Sequence, residues 1–274
     1  MNRLWSAGSL SRVLLVVALA ACASRRPADT GLVRVLVYNI HAGKDAAGAD
    51  NLERVATLIR ETGADVVLLQ EVDRTTRRSA GVDQVAVLSQ LTGLQIGFGR
   101  SLVFQGGEYG IAILTRWPAT MQRTIPLPVD PPQERSGSLH EPRVALQLVI
   151  ASPVGELNVI NTHIDASRDD RWRRQEIATV LAVADSARGI VLLGGDLNST
   201  PDGDIQAMVR ARGFRDAWRT CGGNDDGFTY PADSGVKRID YLYFREDVSC
   251  SRAEVIVTRA SDHRPLLVRV TIPR

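Results

Sequence analysis

Six short clusters in this 274-residue sequence hold residue types suited to metal-assisted or acid–base chemistry: Tyr38-Asn39-Ile40-His41, Gln70-Glu71-Val72-Asp73, Asn161-Thr162-His163-Ile164-Asp165, Gly195-Asp196-Leu197-Asn198, Arg238-Ile239-Asp240-Tyr241 and Ser261-Asp262-His263-Arg264. Carboxylates beside neutral amides suit a hard divalent cation, which takes oxygen ligands and keeps several waters. Imidazoles beside carboxylates suit proton transfer, because a neighbouring acid fixes the ring's tautomer. Taken singly, each cluster reads equally well as a turn or a helix cap, where Asp and Asn are common. All six, however, stand at the ends of strand-like runs, where ligands commonly bind.

The elements that must position these clusters alternate. Val33 to Ile40 reads as a buried strand, followed by an amphipathic helix with Leu52, Val55, Ala56 and Ile59 on one face, started by Asp50 with Glu53 three residues on and stopped by Gly63. Asp65 to Gln70 is a second buried strand that delivers Glu71 at its C-terminal end. A helix with Val82, Val85, Leu88 and Leu91 ends at Gly93, and short strands follow over Leu94 to Phe104 and Ile111 to Thr115. Pro126 to Glu141, rich in Pro, Ser and Gly, reads as a loop that contains His140. Val144–Ser152 and Glu156–Ile164 read as a hairpin around Pro153-Val154-Gly155. A longer helix over Asp169–Ala187, a strand over Ile190–Leu193, a short helix near Asp204–Arg212 and strands over Lys237–Phe244, Glu254–Thr258 and Pro265–Ile272 complete the pattern. Alternating βα units with hairpins imply an α/β fold with mixed sheets, not a purely parallel one.

In this order the clusters resemble the endonuclease/exonuclease/phosphatase superfamily, which includes deoxyribonuclease-I-like nucleases, apurinic-site endonucleases, neutral sphingomyelinases and inositol polyphosphate phosphatases. The resemblance runs from about Val33 to Ile272, and its most specific parts are Gln70-Glu71, Gly195-Asp196-Leu197-Asn198 and Ser261-Asp262-His263, with the strand Tyr109 to Arg116 as a further match. It implies a four-layer α/β/β/α sandwich, two mixed sheets face to face with helices outside, and a divalent-metal-dependent phosphoester hydrolase. Glu71, helped by Asn39 and Asp262, is the expected oxygen set for Mg²⁺ or Mn²⁺. Asp196 and His263 are the alternative bases for the attacking water, and Asp240 is expected to orient His263. Asn198 and His163 are expected to donate to the phosphoryl oxygens, the bland alternative for His163 being a core histidine. Tyr109, Arg143 and His41 are expected near substrate, although Tyr109 could merely pack and Arg143 could simply pair with a neighbouring acid. Trp117, Trp172 and Trp218 read as core or rim.

The first 22 residues form a separate unit. Arg3 and Arg12 precede the apolar run Val13 to Ala21, which is too short for a membrane span of about 20 residues and ends in Leu19-Ala20-Ala21-Cys22. This resembles the bacterial lipobox, with Cys22 as the acylated residue, the alternative being an ordinary cleaved signal that contains a cysteine. Residues 23–31 are the expected tether and 32–274 the catalytic domain. Export to the cell envelope follows, as a lipoprotein of the outer membrane or facing the periplasm. Cys221 and Cys250 then remain in an oxidising compartment, as a bridge or as two thiols, because spacing does not show whether their Cα atoms lie within bridging range.

Loss of Arg3 and Arg12 with the leader leaves 31 of the 33 basic residues against 31 acidic ones. This neutral balance leans away from a dedicated nucleic-acid-binding surface, which normally carries a surplus of Lys and Arg. Three functions are weighed: a phosphodiesterase on a small or lipid-linked phosphodiester, an extracytoplasmic nuclease, and a lipoprotein that only binds a phosphorylated ligand. The first is favoured by the anchor and the charge. The third would show the loss of a core residue, and none is lost. The expected partners are the phosphoester substrate, with nucleic acid as one possible substrate, and the membrane through the lipid anchor, and the chain is expected to be a monomer.

Overall fold

Along β1 (Leu32–Asn39) the side chains alternate, Val33, Val35 and Val37 to one face and Leu36 and Tyr38 to the other, and all five are fully buried. A strand covered on both faces requires a layer on each side, and that requirement shapes the whole molecule. The computed structural model describes Met1 and residues 31–130, 141–245 and 247–273. Cys22 and the leader, the tether up to residue 30, and His140 with most of the loop expected before Glu141 lie outside the described residues.

After β1 the chain runs through α1 (Leu52–Thr62), β2 (Val66–Arg74), α2 (Gln84–Thr92), the hairpin β3 (Gln95–Phe104) and β4 (Gly107–Thr115), and β5 (Ala119–Leu127). The hairpin β6 (Arg143–Ser152) and β7 (Gly155–His163) leads to α3 (Asp170–Ser186), β8 (Ile190–Asp196), α4 (Asp204–Ala211), β9 (Arg215–Asp216) and α5 (Ala217–Cys221). Strands β10 (Asp240–Phe244), β11 (Ser249–Val255) and β12 (Leu266–Thr271) end the fold. Two six-stranded sheets result, ordered β11-β12-β1-β2-β4-β3 and β5-β6-β7-β8-β10-β9. Each holds one parallel pair, β1 with β2 and β7 with β8, among antiparallel neighbours. The mixed sheets and four layers expected from the sequence are thus present.

Three apolar layers hold the sandwich together. Val33, Val35, Val37, Leu68, Ile113, Leu146, Leu157, Leu192, Leu242 and Phe244 pack between the sheets. Leu36, Tyr38, Leu69 and Leu114 pack under Val55, Ile59 and Leu88 of α1 and α2. Ile160, Leu193, Tyr241 and Tyr243 pack under Ile177, Val180, Leu181 and Val209 of α3 and α4. Among the described residues no helix is long and apolar enough to cross a membrane.

The structure corrects several local expectations. Asp50 does not cap α1; Asn51 precedes it and makes no side-chain cap bond. Instead Asn51 Nδ2 donates to the Ala260 carbonyl at 3.1 Å, and Asp50 accepts from Lys44 Nζ. Val82 lies before α2, whose cap is Asp83, accepting from the Ala86 N–H. β5 is not evident in the sequence pattern, and it carries Pro126 and Leu127 out of the predicted loop. Its outer face is exposed and it is an edge strand, so it lacks apolar alternation and tolerates proline. The short β9 and α5 are likewise additions to the predicted elements. Cys221 and Cys250 form a disulfide, with Cα atoms 5.8 Å apart, that joins α5 to the edge strand β11.

Candidate active site

The inter-sheet rows of several strands stop being apolar at the same end of the sandwich. Val33, Val35 and Val37 are followed on the same face by Asn39, Leu157 and Val159 by Asn161 and His163, Leu192 by Gly194 and Asp196, and Ile113 and Ile111 by Tyr109. On β10 the row begins with Asp240 and continues as Leu242 and Phe244. Strand register completes the convergence, pairing His163 with Asp196 and Asp196 with Asp240. Below them, Gln70 Nε2 donates to Asn161 Oδ1 at 2.7 Å, while Asn161 Nδ2 donates to the Leu69 and Ala112 carbonyls at 2.8 and 2.9 Å. This amide pair bridges the two sheets and separates the apolar core from the polar cleft.

Glu71 reaches the cleft by a different device. It lies within β2 and not at its end, at a bulge where the pairing with β4 jumps from Leu69 with Ala112 to Val72 with Gly110, and its φ is 56°. Regular alternation after Gln70 would turn Glu71 toward the helices; the extra residue frees it to line the cleft. β2 then continues to Asp73, whose carboxylate takes a two-point ion pair from Arg78, with Nε and Nη2 at 2.7 and 2.8 Å. The Arg78 guanidinium lies 4.8 Å from the Phe104 ring centroid and 5.1 Å from that of Tyr109, forming one wall.

Asp196 is the hub. Its Oδ2 accepts from Asn39 Nδ2 at 3.1 Å and stands 3.6 Å from His163 Nε2 and 3.8 Å from His263 Nε2, while Oδ1 accepts from the Asn198 N–H at 2.9 Å. Asn39 Nδ2 also donates to Glu71 Oε1 at 3.1 Å, so one amide bridges two carboxylates. The Asn39 oxygen accepts from the His41 N–H at 3.0 Å, and Ser261 Oγ donates to the Asn39 carbonyl at 2.8 Å. His263 Nδ1 lies 2.9 Å from Asp240 Oδ2, the orienting contact expected from the sequence. Asn198, at φ 43°, donates through Nδ2 to the Ile164 carbonyl at 3.0 Å, which leaves its second amide hydrogen for the cleft.

Burial and the nearby Asp240 raise Asp196 above the usual carboxylate range, against the pull of His263, the Asn198 N–H and Asn39. Burial alone would lower His263, but the charge and hydrogen bond of Asp240, with Asp196 and Asp262 beyond, raise it. His163 goes the other way: burial, Arg143 and His263 push it well below the ordinary imidazole value. Tyr109 is raised well above the usual phenol range by burial and by Glu71, so it stays a neutral hydroxyl.

A cleft of about 670 Å³ opens over this hub, lined by Glu71, Tyr109, Arg143, His163, Asp196, Asn198, Asp262 and His263. Of the sequence-derived candidates, Asn39 and Asp240 sit just beneath it, fully buried. His41 is the exception, since it is not among the lining residues and its ring stands beside Asp262, 3.8 Å from Nδ1 to Oδ1. Its backbone N–H donates to the Asn39 side-chain oxygen. Cys22 lies outside the described residues. Trp117, Trp172 and Trp218 pack elsewhere and none lines the cleft.

Sequence reasoning missed Tyr230 and Arg78. The Tyr230 ring lies 4.8 Å from that of His263, centroid to centroid, in a stretch without regular periodicity. Arg78 follows Arg77 in a short turn after β2, and nothing in the sequence pattern marks Asp73 as its partner.

The donor set fits a hard divalent ion. Glu71 and Asp262 offer carboxylate oxygens and Asn39 an amide oxygen, and the only basic side chain within 4 Å of either acid among the described residues is the His41 ring. Asp196, Asp240 and His263 also offer ligand atoms within 4.8 Å of one another and could hold an ion by spacing alone. The 2.9 Å contact of His263 with Asp240, however, shows these two bonded to each other.

The pattern of the Endonuclease/Exonuclease/phosphatase family matches residues 36–263. The chain is similar to the UPF0294 protein of Klebsiella pneumoniae (strain 342), 28% identical over 273 residues, covering 94% of this chain and 91% of the relative. Its fold is similar to the endonuclease/exonuclease/phosphatase of Beutenbergia cavernae, with a TM-score of 0.75 at 22% identity over 88% of this chain and 72% of that one. It is also similar to the mannosyl-6-phosphatase of Bacteroides thetaiotaomicron, with a TM-score of 0.71 at 16% identity over 87% of this chain and 99% of that one.

Proposed function

Because the chain belongs to the endonuclease/exonuclease/phosphatase family, whose members hydrolyse phosphoesters, we propose that it is a divalent-metal-dependent phosphodiesterase acting on a small or lipid-linked phosphodiester in the cell envelope. The observation that carries the catalytic part is the convergence on Asp196 Oδ2 of Asn39, His163 and His263, with Asp240 behind His263. The envelope part is supported by the leader that ends in Cys22 and by the neutral balance of charge after it.

Glu71, Asn39 and Asp262 would hold the ion, Mg²⁺ or Mn²⁺. When bound it polarises a phosphoryl oxygen and offsets developing negative charge. The protein's own residues do the rest. Asp196 and His263 form the acid–base unit that takes a proton from the attacking water, and Asp240 holds His263 with Nδ1–H toward itself and Nε2 toward the cleft. His163 Nε2 and the second amide hydrogen of Asn198 donate to the phosphoryl oxygens. Tyr109 and Arg78 form the wall along which the rest of the substrate lies.

The test is turnover by the full chain in detergent on plasmid DNA, RNA, a phospholipid, an inositol phosphate and a chromogenic phosphodiester, with and without Mg²⁺ or Mn²⁺. Metal-dependent turnover that disappears in Asp196→Ala supports the reading and names the substrate class. DNA or RNA as the preferred substrate would replace it by a nuclease, and no turnover together with no Mg²⁺ binding would sink it.

A further inference from the structure

We propose that Arg143 is a positioning residue that fixes His163 as a neutral imidazole carrying its proton on Nε2, so that His163 only donates a hydrogen bond and takes no part in moving protons. Arg143 Nη1 lies 3.1 Å from His163 Nδ1. A guanidinium has donors and no acceptor, so the contact is a hydrogen bond only when Nδ1 presents its lone pair. The one proton of the neutral ring is then on Nε2, which faces a carboxylate oxygen, Asp196 Oδ2, at 3.6 Å. Each ring nitrogen thus meets a partner of the opposite kind. A second proton would set Nδ1–H against a guanidinium N–H, two donors and two like charges at a site that is 5% exposed for His163 and 8% for Arg143.

The guanidinium is itself held in place. Its Nη1 is 3.1 Å from Glu141 Oε1, and although burial opposes the charge, the carboxylates of Glu141 and, farther off, Glu71 favour it. The low proton affinity of His163 agrees with this arrangement. As a consequence, proton transfer in the cleft falls to Asp196 and His263, and His163 supplies a dipole aimed into the cleft that does not depend on a protonation event. This role rests on the hydrolase reading above; the tautomer does not.

The experiment is a long-range proton–nitrogen correlation spectrum of the full chain labelled with ¹⁵N-histidine, in detergent at neutral pH. His163 is assigned by comparison with His163→Gln. The expected spectrum shows one protonated nitrogen, Nε2, and one bare nitrogen, Nδ1, in the His163 ring. In Arg143→Met, which keeps much of the side-chain stem, that pattern is lost, and kcat falls about tenfold or more with little change in KM. A wild-type ring protonated on Nδ1 or on both nitrogens overturns the proposal, as does an unchanged Nε2–H pattern in folded Arg143→Met. If Arg143→Met does not fold, the wild-type spectrum alone decides. The spectrum needs no turnover, so an inactive chain with an Nε2–H ring would sink the hydrolase reading and leave the tautomer standing.

Discussion

His163 and His263 aim their Nε2 atoms at the same carboxylate oxygen, Asp196 Oδ2, from 3.6 and 3.8 Å, yet the groups behind the two rings are opposite in kind. Arg143 gives to Nδ1 of His163, and Asp240 takes from Nδ1 of His263. One ring is therefore held neutral and the other is drawn toward the charged form. On the roles proposed above, the histidine that ends β7 and the one in the bend before β12 thus divide the work, one as a fixed dipole and one as a proton carrier.

Replacing Asp240 by Asn keeps the volume but removes the charge that raises His263 and the acceptor that fixes its tautomer. By analogy with the loss of an orienting carboxylate in a triad, kcat falls by about 10²- to 10⁴-fold with the fold intact. Steady-state kinetics beside a thermal melt checks this. Wild-type kcat in folded Asp240→Asn would remove Asp240 from the mechanism.

Asn39→Ala removes both the amide that bridges Glu71 and Asp196 and the oxygen assigned to the ion. The Mg²⁺ concentration for half-maximal activity rises roughly 10- to 100-fold, the scale for groups that orient a metal site. Calorimetric titration with Mg²⁺ reads the same change without substrate. Unchanged affinity would take Asn39 out of the metal site.

Glu176, on α3, is fully buried and accepts from the Asp165 N–H at 2.7 Å. Burial raises its pKa to about 8, against the pull of the Asp165 N–H, Arg143 and Arg173. Between the ordinary carboxylate range and about 8 the native state holds a proton that the unfolded chain has lost. Its contribution is therefore complete in acid and is lost as pH rises through about 8. Glu176→Gln cannot ionise and keeps an acceptor. Its unfolding free energy, from denaturant titration, should match wild type near pH 5 and exceed it near pH 9, by a margin on the order of 1–4 kcal/mol. Equal margins at the two pH values would show that Glu176 is ionised throughout.

Gly195, at φ 135°, leaves space for the neighbouring strand: a Cβ there would lie 1.9 Å from the Thr162 carbonyl oxygen. Gly195→Ala must push β8 away from β7 and carry Asp196 with it. The loss is about 3 kcal/mol or more, a fall in melting temperature of roughly 6–12 °C. Activity should drop further than stability explains, because Asp196 is the next residue. A melt within a degree or so of wild type would show that the close approach of Thr162 does not constrain this position.

Much of this site was legible because its residues sit at the ends of well-patterned strands. The apolar runs before Asn39, His163 and Asp196 identify the strands, and period-two alternation places all three on one face. The sequence pattern puts Glu71 at the end of its strand and not within it, since a bulge depends on the pairing partner and leaves no trace in the strand's own pattern. The sequence pattern points to Asp50 as the cap of α1, whereas Asn51 holds that position and spends its amide on the distant Ala260 carbonyl. The sequence places Arg143 near the cleft or beside an acid and no further; its contact with His163 depends on the register of β6 against β7. Tyr230 and Arg78 come from irregular segments, where periodicity has nothing to report.

The bond between Cys221 and Cys250 lies at the end of the sandwich away from the cleft, where Cys250 pairs with Val270 and Val270 with Val33, six residues before Asn39. The segment it encloses contains both Tyr230 and Asp240. The carboxylate that sets the charge of His263 thus sits within a covalent ring that reducing conditions keep open. A copy still in a reducing compartment lacks this closure and the loss of unfolded-state freedom it brings, about 3.6 kcal/mol for a ring closed between residues 29 apart. With the export proposed above, completion of the fold is tied to where the chain has travelled, and the molecule reaches its most robust form only after it has left the cell's own store of phosphoesters behind.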